Sequence, residues 1–274
     1  MRYLLLILLL SGCADNVTPP VSIAPWDGDA PATPECLPNL DGRIDADELA
    51  PGFGVPANFV VNAPGTTVEL DLNGLRDASG ARVWDFRGVS QSDRELQVQA
   101  QTVEGTWFES EFPGAQFTTP LDPRGVELGV YSHSDNGLFL HGFVSSDPES
   151  NTLTQMRYTE PLLLYPFPLE NGDEWISVGE VVNGQFRGLP YAGRDTYTSV
   201  VAETGEVWLD SIEFTDVLQV KTLVQVQPAV GASTSRVQVS WLFECFGEVV
   251  RAASEDGETD LDFSRASEFR RLGF

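Results

Sequence analysis

The chain has one lysine, Lys221, and two histidines, His133 and His141, in 274 residues. Its cations are almost all arginine, and 41 acidic residues against 16 basic ones give a formal charge of −25. A surface of that sign repels phosphate backbones, which excludes DNA and RNA as partners. So few histidines confine zinc and imidazole chemistry to one stretch, YSHSDNGLFLHGF at 131–143. A two-residue Asn136-Gly137 turn there pairs Asp135 with Leu138 and His133 with Leu140. That sends His133 and His141 to opposite faces and denies them a shared metal; a three-residue loop reverses this. H-E-x-x-H, the P-loop and a G-x-G-x-x-G after a strand are all missing, and GASTS at 231–235 fails to match G-x-S-x-G. With 41 carboxylates, some pair at glycosidase spacing arises by chance and specifies nothing. The reading leans away from an enzyme.

Long apolar runs are missing too. The longest, Tyr3 to Leu10, follows Arg2 and gives way to Leu10-Ser11-Gly12-Cys13. It is far short of the roughly 20 residues a helix needs to cross a bilayer, and its charged start and small-residue end mark residues 1–12 as an export signal peptide. Leu10-Ser11-Gly12-Cys13 resembles the lipobox of bacterial lipoproteins. The resemblance implies that Cys13 is acylated and opens the mature chain, making the membrane its first partner. Each buried methylene of such an anchor contributes about 0.8 kcal/mol. Enteric-type lipoproteins carry an inner-membrane retention aspartate directly after the cysteine; Ala14 stands there, so outer-membrane placement is expected. A periplasmic or surface protein partner stays unspecified.

Cysteine is scarce. With Cys13 lipidated, Cys36 and Cys245 are the only thiols left, and in an exported chain they allow one intrachain disulfide. The other reading is two separate buried thiols. Residues 13–35 form the lipidated tether: five prolines between 14 and 35, with almost no apolar periodicity, give extended, semi-rigid chain.

Helical periodicity is the last absence. From residue 57 to 274 the apolar pattern alternates, as in Thr67 to Leu72, Glu95 to Val103 and SRVQVSWLFE at 235–244. In the last, Val237, Val239, Trp241 and Phe243 share one face, which makes Trp241 core. Gly, Asn, Asp and Pro punctuate these runs as hairpins require. The expected fold is all-β: an antiparallel β-sandwich or a curved half-open barrel, as a single domain on the Pro-rich tether. The segments TEPLLLYPFPLENGDEW, DVLQVKTLVQ and WLFECFGEVVRA resemble β-rich modules of other bacterial cell-surface proteins and lipoproteins. That likeness, which spans most of 57–274, supports a fold and implies no activity.

Residues 36–56 are different. In CLPNLDGRIDADELAP, placing Gly42 at position 6 of an EF-hand loop puts Asn39 at 3, Asp41 at 5, the Arg43 carbonyl at 7, Asp45 at 9 and Glu48 at 12. The second half resembles an EF-hand or dockerin loop, but position 1 is Leu37 and the prolines before it leave no entering helix. A metal-free turn stapled by the disulfide is the first reading, and a weak calcium site on Asn39, Asp41, Arg43, Asp45 and Glu48 the second. No other cofactor is implied.

Two aromatics are candidate ligand contacts. Strand alternation puts Trp107 on one face with Glu109 and Glu111, and Trp208 with Glu206 and Asp210, where a ring on a polar face can stack on a sugar. The alternative is that loops cover both. Three functions follow in order: a non-catalytic binding or scaffolding module, a carrier of a lipid or small molecule or a carbohydrate-binding module, and a hydrolase. An enclosed apolar cavity marks the carrier, and a polar cleft with displaced pKa values marks the enzyme.

Overall fold

The computed structural model describes residues 36–88, 93–122 and 124–273. The leader 1–12, Cys13 and the tether 13–35 lie outside the described residues. Those described are almost entirely strand, with 3-10 turns at Ala46–Leu49 and Glu109–Glu111. Val-rich stretches such as VLQVKTLVQVQ at 217–227 explain the preference, since branched side chains fit a pleated, half-buried surface.

The main sheet runs through thirteen strands: β1 (Ala57–Val61), β2 (Arg94–Val98), β3 (Gln101–Thr102), β4 (Phe117–Pro120), β5 (Glu127–Ser134), β6 (Gly137–Ser145), β7 (Gln155–Pro166), β8 (Glu174–Phe186), β9 (Leu189–Trp208), β10 (Glu213–Pro228), β11 (Thr234–Phe243), β12 (Gly247–Ser254) and β13 (Arg265–Leu272). Their spatial order is β2-β1-β13-β12-β11-β10-β9-β8-β7-β6-β5-β4-β3, antiparallel at every step. Consecutive hairpins build nearly all of it. The two edges, β2 and β3, do not pair, yet only Gln99 and Ala100 separate them in sequence. Three residues of chain span at most about 11 Å, so the sheet curls until its edges nearly meet. The result is all-β and antiparallel, an open sheet folded over on itself and not closed into a barrel.

The convex face carries the larger core. Val237, Val239, Trp241 and Phe243 of β11 pack with Leu72, Trp84, Phe86 and Phe263 from segments laid over the sheet. Trp241 is 0% exposed and meets Trp84 and Phe86 edge-on, with centroids 5.9 and 4.9 Å away. Emptying such a site costs about 3–5 kcal/mol. One covering strand, Arg82–Asp85, runs parallel to Gly205–Trp208 of β9. Gly205 permits it, because a Cβ there would stand 2.4 Å from the Arg82 carbonyl oxygen. The sole lysine, Lys221, is buried against Asp262 at 2.5 Å and so ties down another part of the cover.

The concave face holds smaller clusters. Ile44 and Leu49 of the 36–56 segment close one end against Leu169, Val201, Leu218 and Leu242. Further along lie Leu140, Tyr158, Leu162 and Val181. Between the two clusters the inner face turns polar.

Candidate functional site

The 36–56 segment is fastened at three points. Cys36 and Cys245 form a disulfide with Cα atoms 5.6 Å apart. Arg43–Ile44 pairs with Leu169–Glu170. The Cys245 amide donates to the Glu48 carbonyl at 2.8 Å. The loop also borrows a carboxylate from the domain: Glu244 Oε2 accepts the amides of Asn39 (2.6 Å) and Leu40 (2.8 Å). Glu48, only 6% exposed, accepts from Asn39 Nδ2 through one oxygen and from the Asp45 amide through the other, at 2.8 and 2.9 Å. Burial, reinforced by Glu244, raises its pKa above the usual glutamate value although the Asp45 amide opposes this.

The residues of the calcium reading are hydrogen-bonded within the loop. Asn39 Oδ1 accepts the Asp41 amide and Asp41 Oδ1 accepts the Arg43 amide. The Arg43 guanidinium sits 2.8 Å from Asp45 and 3.5 Å from Asp41. Position 1, Leu37, is 77% exposed. Among the described residues, no group of three or more His, Cys, Asp or Glu side chains is placed to hold a metal ion. The loop is closed by its own hydrogen bonds, with Gly42 at φ +84° making the turn.

The histidine hairpin corrects one expectation. The two turn residues are Asp135 and Asn136, so His133 faces Leu138 and not Leu140. Gly137 is needed elsewhere: a Cβ on it would lie 2.6 Å from the Tyr165 carbonyl of β7. The shift is two residues, so face parity is kept. His133 points inward beside Phe167, and His141 points the other way with Nε2 2.8 Å from Ser132 Oγ.

Trp107 is a second correction. Residues 103–115 wind through turns, because Gly105 and the Pro113-Gly114 pair bracket them and Val103 accepts from both Thr106 N and Oγ1. Strand alternation therefore does not apply, and Trp107 packs edge-on to Phe108 at 5.5 Å. The i, i+4 spacing of the buried pair Phe108 and Phe112 was the legible sign of winding. An open hollow of about 500 Å³ beside this turn is lined by Val103, Thr106, Glu109, Ser110 and Phe112 among others. Trp208 is part-exposed and flanked by buried Val207 and Leu209, with Nε1 on Glu206 at 3.0 Å. Arg87 stacks over one face of its ring at 4.8 Å.

Sequence reasoning missed the inner polar belt. Arg251 of β12 and Arg270 of β13 are direct cross-strand partners, and both bind the carboxylate of Glu248. Arg251 Nε is 2.9 Å from it, and Ser240 Oγ donates to it at 2.6 Å. Burial alone would raise the Glu248 pKa, but Arg251 and Arg270 outweigh it and hold the group below its usual value. Burial would likewise depress Arg251, yet Glu248 and then Glu268 keep its pKa above normal. Tyr131 and Tyr165 lie within electrostatic range of Glu248 and Arg251. Burial pushes the Tyr165 hydroxyl up to about 12. These rings are enclosed by the curled sheet, yet each keeps part of its surface open. Four buried polar atoms on this face have no hydrogen-bond partner: His133 Nε2, Trp175 Nε1, Asp195 Oδ1 and Arg270 Nε.

Among the described residues no helix is long and apolar enough to cross a membrane. No family model, curated protein or solved structure matches the chain.

Proposed function

We propose that the chain is a lipid-anchored envelope protein whose β domain works by binding or scaffolding and not by catalysis. The observation that carries this reading is the Cys36–Cys245 disulfide. Such a bond persists in oxidising compartments outside the cytoplasm, in keeping with the export signal and with acylation at Cys13. The staple joins the first residue after the tether to the turn between β11 and β12, so a pull on the anchor is borne by a covalent link into the sheet. Ala14 after the cysteine favours the outer membrane. A non-catalytic role is supported by the open, mixed hollow at 103–115 and by the occupied partners of Glu48, Glu244 and Glu248. Cys13→Ser is expected to move the protein from the membrane to the soluble fraction. If that variant still pellets with membranes and resists a high-salt wash, the anchor is elsewhere and the reading fails.

A further inference from the structure

The convex face is covered on both flanks and bare between them. The 103–115 turn packs over Val130 and Val144 of β5 and β6, while the segments bearing Leu72, Trp84 and Phe263 cover β10 to β13. In the gap, alternate residues of β8 point outward, because Gly179 and Val181 between them face Tyr158 and Leu162 on the inside. Three of the outward residues are aliphatic: Ile176 is 68% exposed, Val178 47% and Val182 58%. Among the described residues no other strand shows three such side chains. Branched residues on one face of a strand suit packing against a second sheet, which this part of the molecule lacks.

The neighbouring strand completes the pattern. Register places Ile176 opposite Thr198 and Val178 opposite Thr196, and the next outward row pairs Glu180 with Arg194. Arg194 Nε and Nη2 both donate to Glu180 Oε1, at 3.0 and 2.5 Å. That leaves Glu180 Oε2 and Arg194 Nη1 without a hydrogen-bond partner among the described residues, and both side chains are exposed. On a chain of formal charge −25, these three rows carry one acid and one base. A two-fold axis along the strands, between β8 and β9, brings each glutamate to the partner's arginine and each aliphatic residue to a threonine.

We propose that this face binds a second copy of the chain, sheet against sheet about that axis. Elsewhere the acidic surfaces of two copies repel; here the charges are self-complementary, and the aliphatic rows gain by leaving water. Three strands about 4.8 Å apart and six residue steps of about 3.4 Å give roughly a few hundred Å² per copy, the size of a reversible contact. The pairing deepens the scaffolding reading and rests on it, but it does not depend on the anchor.

The test is cross-linking of the purified full chain in mild detergent with a short bismaleimide. Val178→Cys puts a thiol at the centre of the face; the controls are the natural protein and Val55→Cys, which is exposed on the 36–56 segment. Val178→Cys is expected to give a band of twice the chain's mass, and the controls none. Adding Arg194→Glu sets acid against acid and should cut that band about tenfold. The swapped pair Glu180→Arg/Arg194→Glu makes the face self-complementary again and should restore it, which a mere loss of folding would not allow. Absence of the band, an equal band from Val55→Cys, a band indifferent to Arg194→Glu, or one that the swap fails to restore would each overturn the proposal. Fractionation of Cys13→Ser reads a different residue, so the anchor and the pairing can fail separately.

Discussion

Glu48 and Glu248 are both withdrawn glutamates, and the stapled loop and the inner belt treat them in opposite ways. In the stapled loop Glu48 lies beside another carboxylate, Glu244, and burial raises its pKa. In the inner belt Glu248 lies between two arginines, and they depress it. Desolvation pushes both groups the same way, so the neighbours decide the sign. The loop is held by covalent and backbone links that tolerate a neutral glutamic acid. The belt is held by charge, and its geometry depends on Glu248 staying ionised.

Breaking the staple should have the largest effect. Cys36 and Cys245 are 209 residues apart, and closing a loop of that size is worth up to about 5 kcal/mol in the chain-entropy model. The variant Cys36→Ser/Cys245→Ser is expected to lose a large part of that in urea unfolding, and mass spectrometry of an unreduced digest should show the linked peptides in the natural protein.

Next comes the belt. Arg270→Met leaves Glu248 short of one partner, and removing one member of a buried pair costs about 3–5 kcal/mol. Urea midpoints measure it; a loss under 1 kcal/mol would mean that water already satisfies the carboxylate.

Smallest should be the loop. Glu48→Gln keeps the acceptor for the Asp45 amide and removes repulsion from Glu244, so stability should change by less than about 1 kcal/mol. Millimolar calcium should leave the melting temperature unchanged, since Arg43 already serves Asp41 and Asp45.

The pH dependence sharpens the contrast. Glu48 binds its proton more tightly folded than unfolded, so its contribution to stability improves as pH falls from its raised folded value to the unfolded value near 4.5. Glu248 does the reverse: its contribution is complete above about 4.5 and is lost as pH falls through its depressed folded value. Acid unfolding of Glu248→Gln should therefore be flatter than that of the natural chain, while Glu48→Gln should lose a gain in the mildly acidic range.

The comparison also explains what could be read from residues alone. Alternation around Val237 to Phe243 revealed both the β fold and the burial of Trp241, because a two-residue period survives any curvature of the sheet. The cysteine count left one partner for Cys36. The belt stayed hidden for a geometric reason. In GEVVRAAS a polar face of a strand reads as solvent-facing, but this sheet curls so that the polar face encloses itself. A register shift at Trp241/Leu242 then puts Glu248 and Arg251, three apart, on one side. The hairpin turn was misplaced because Gly137 answers to the neighbouring strand and not to the turn. Glu244, which accepts the Asn39 and Leu40 amides, was marked only by its place beside Cys245.

The most direct measurement is the titration of the glutamate side-chain carboxyl carbons by NMR, with Glu48→Gln and Glu248→Gln used for assignment. The account predicts that Glu48 titrates above the ordinary glutamate value of 4.5 and Glu248 below it. Finding Glu248 at or above Glu48 would contradict it, because the arginine pair would then not be governing the interior of the sheet.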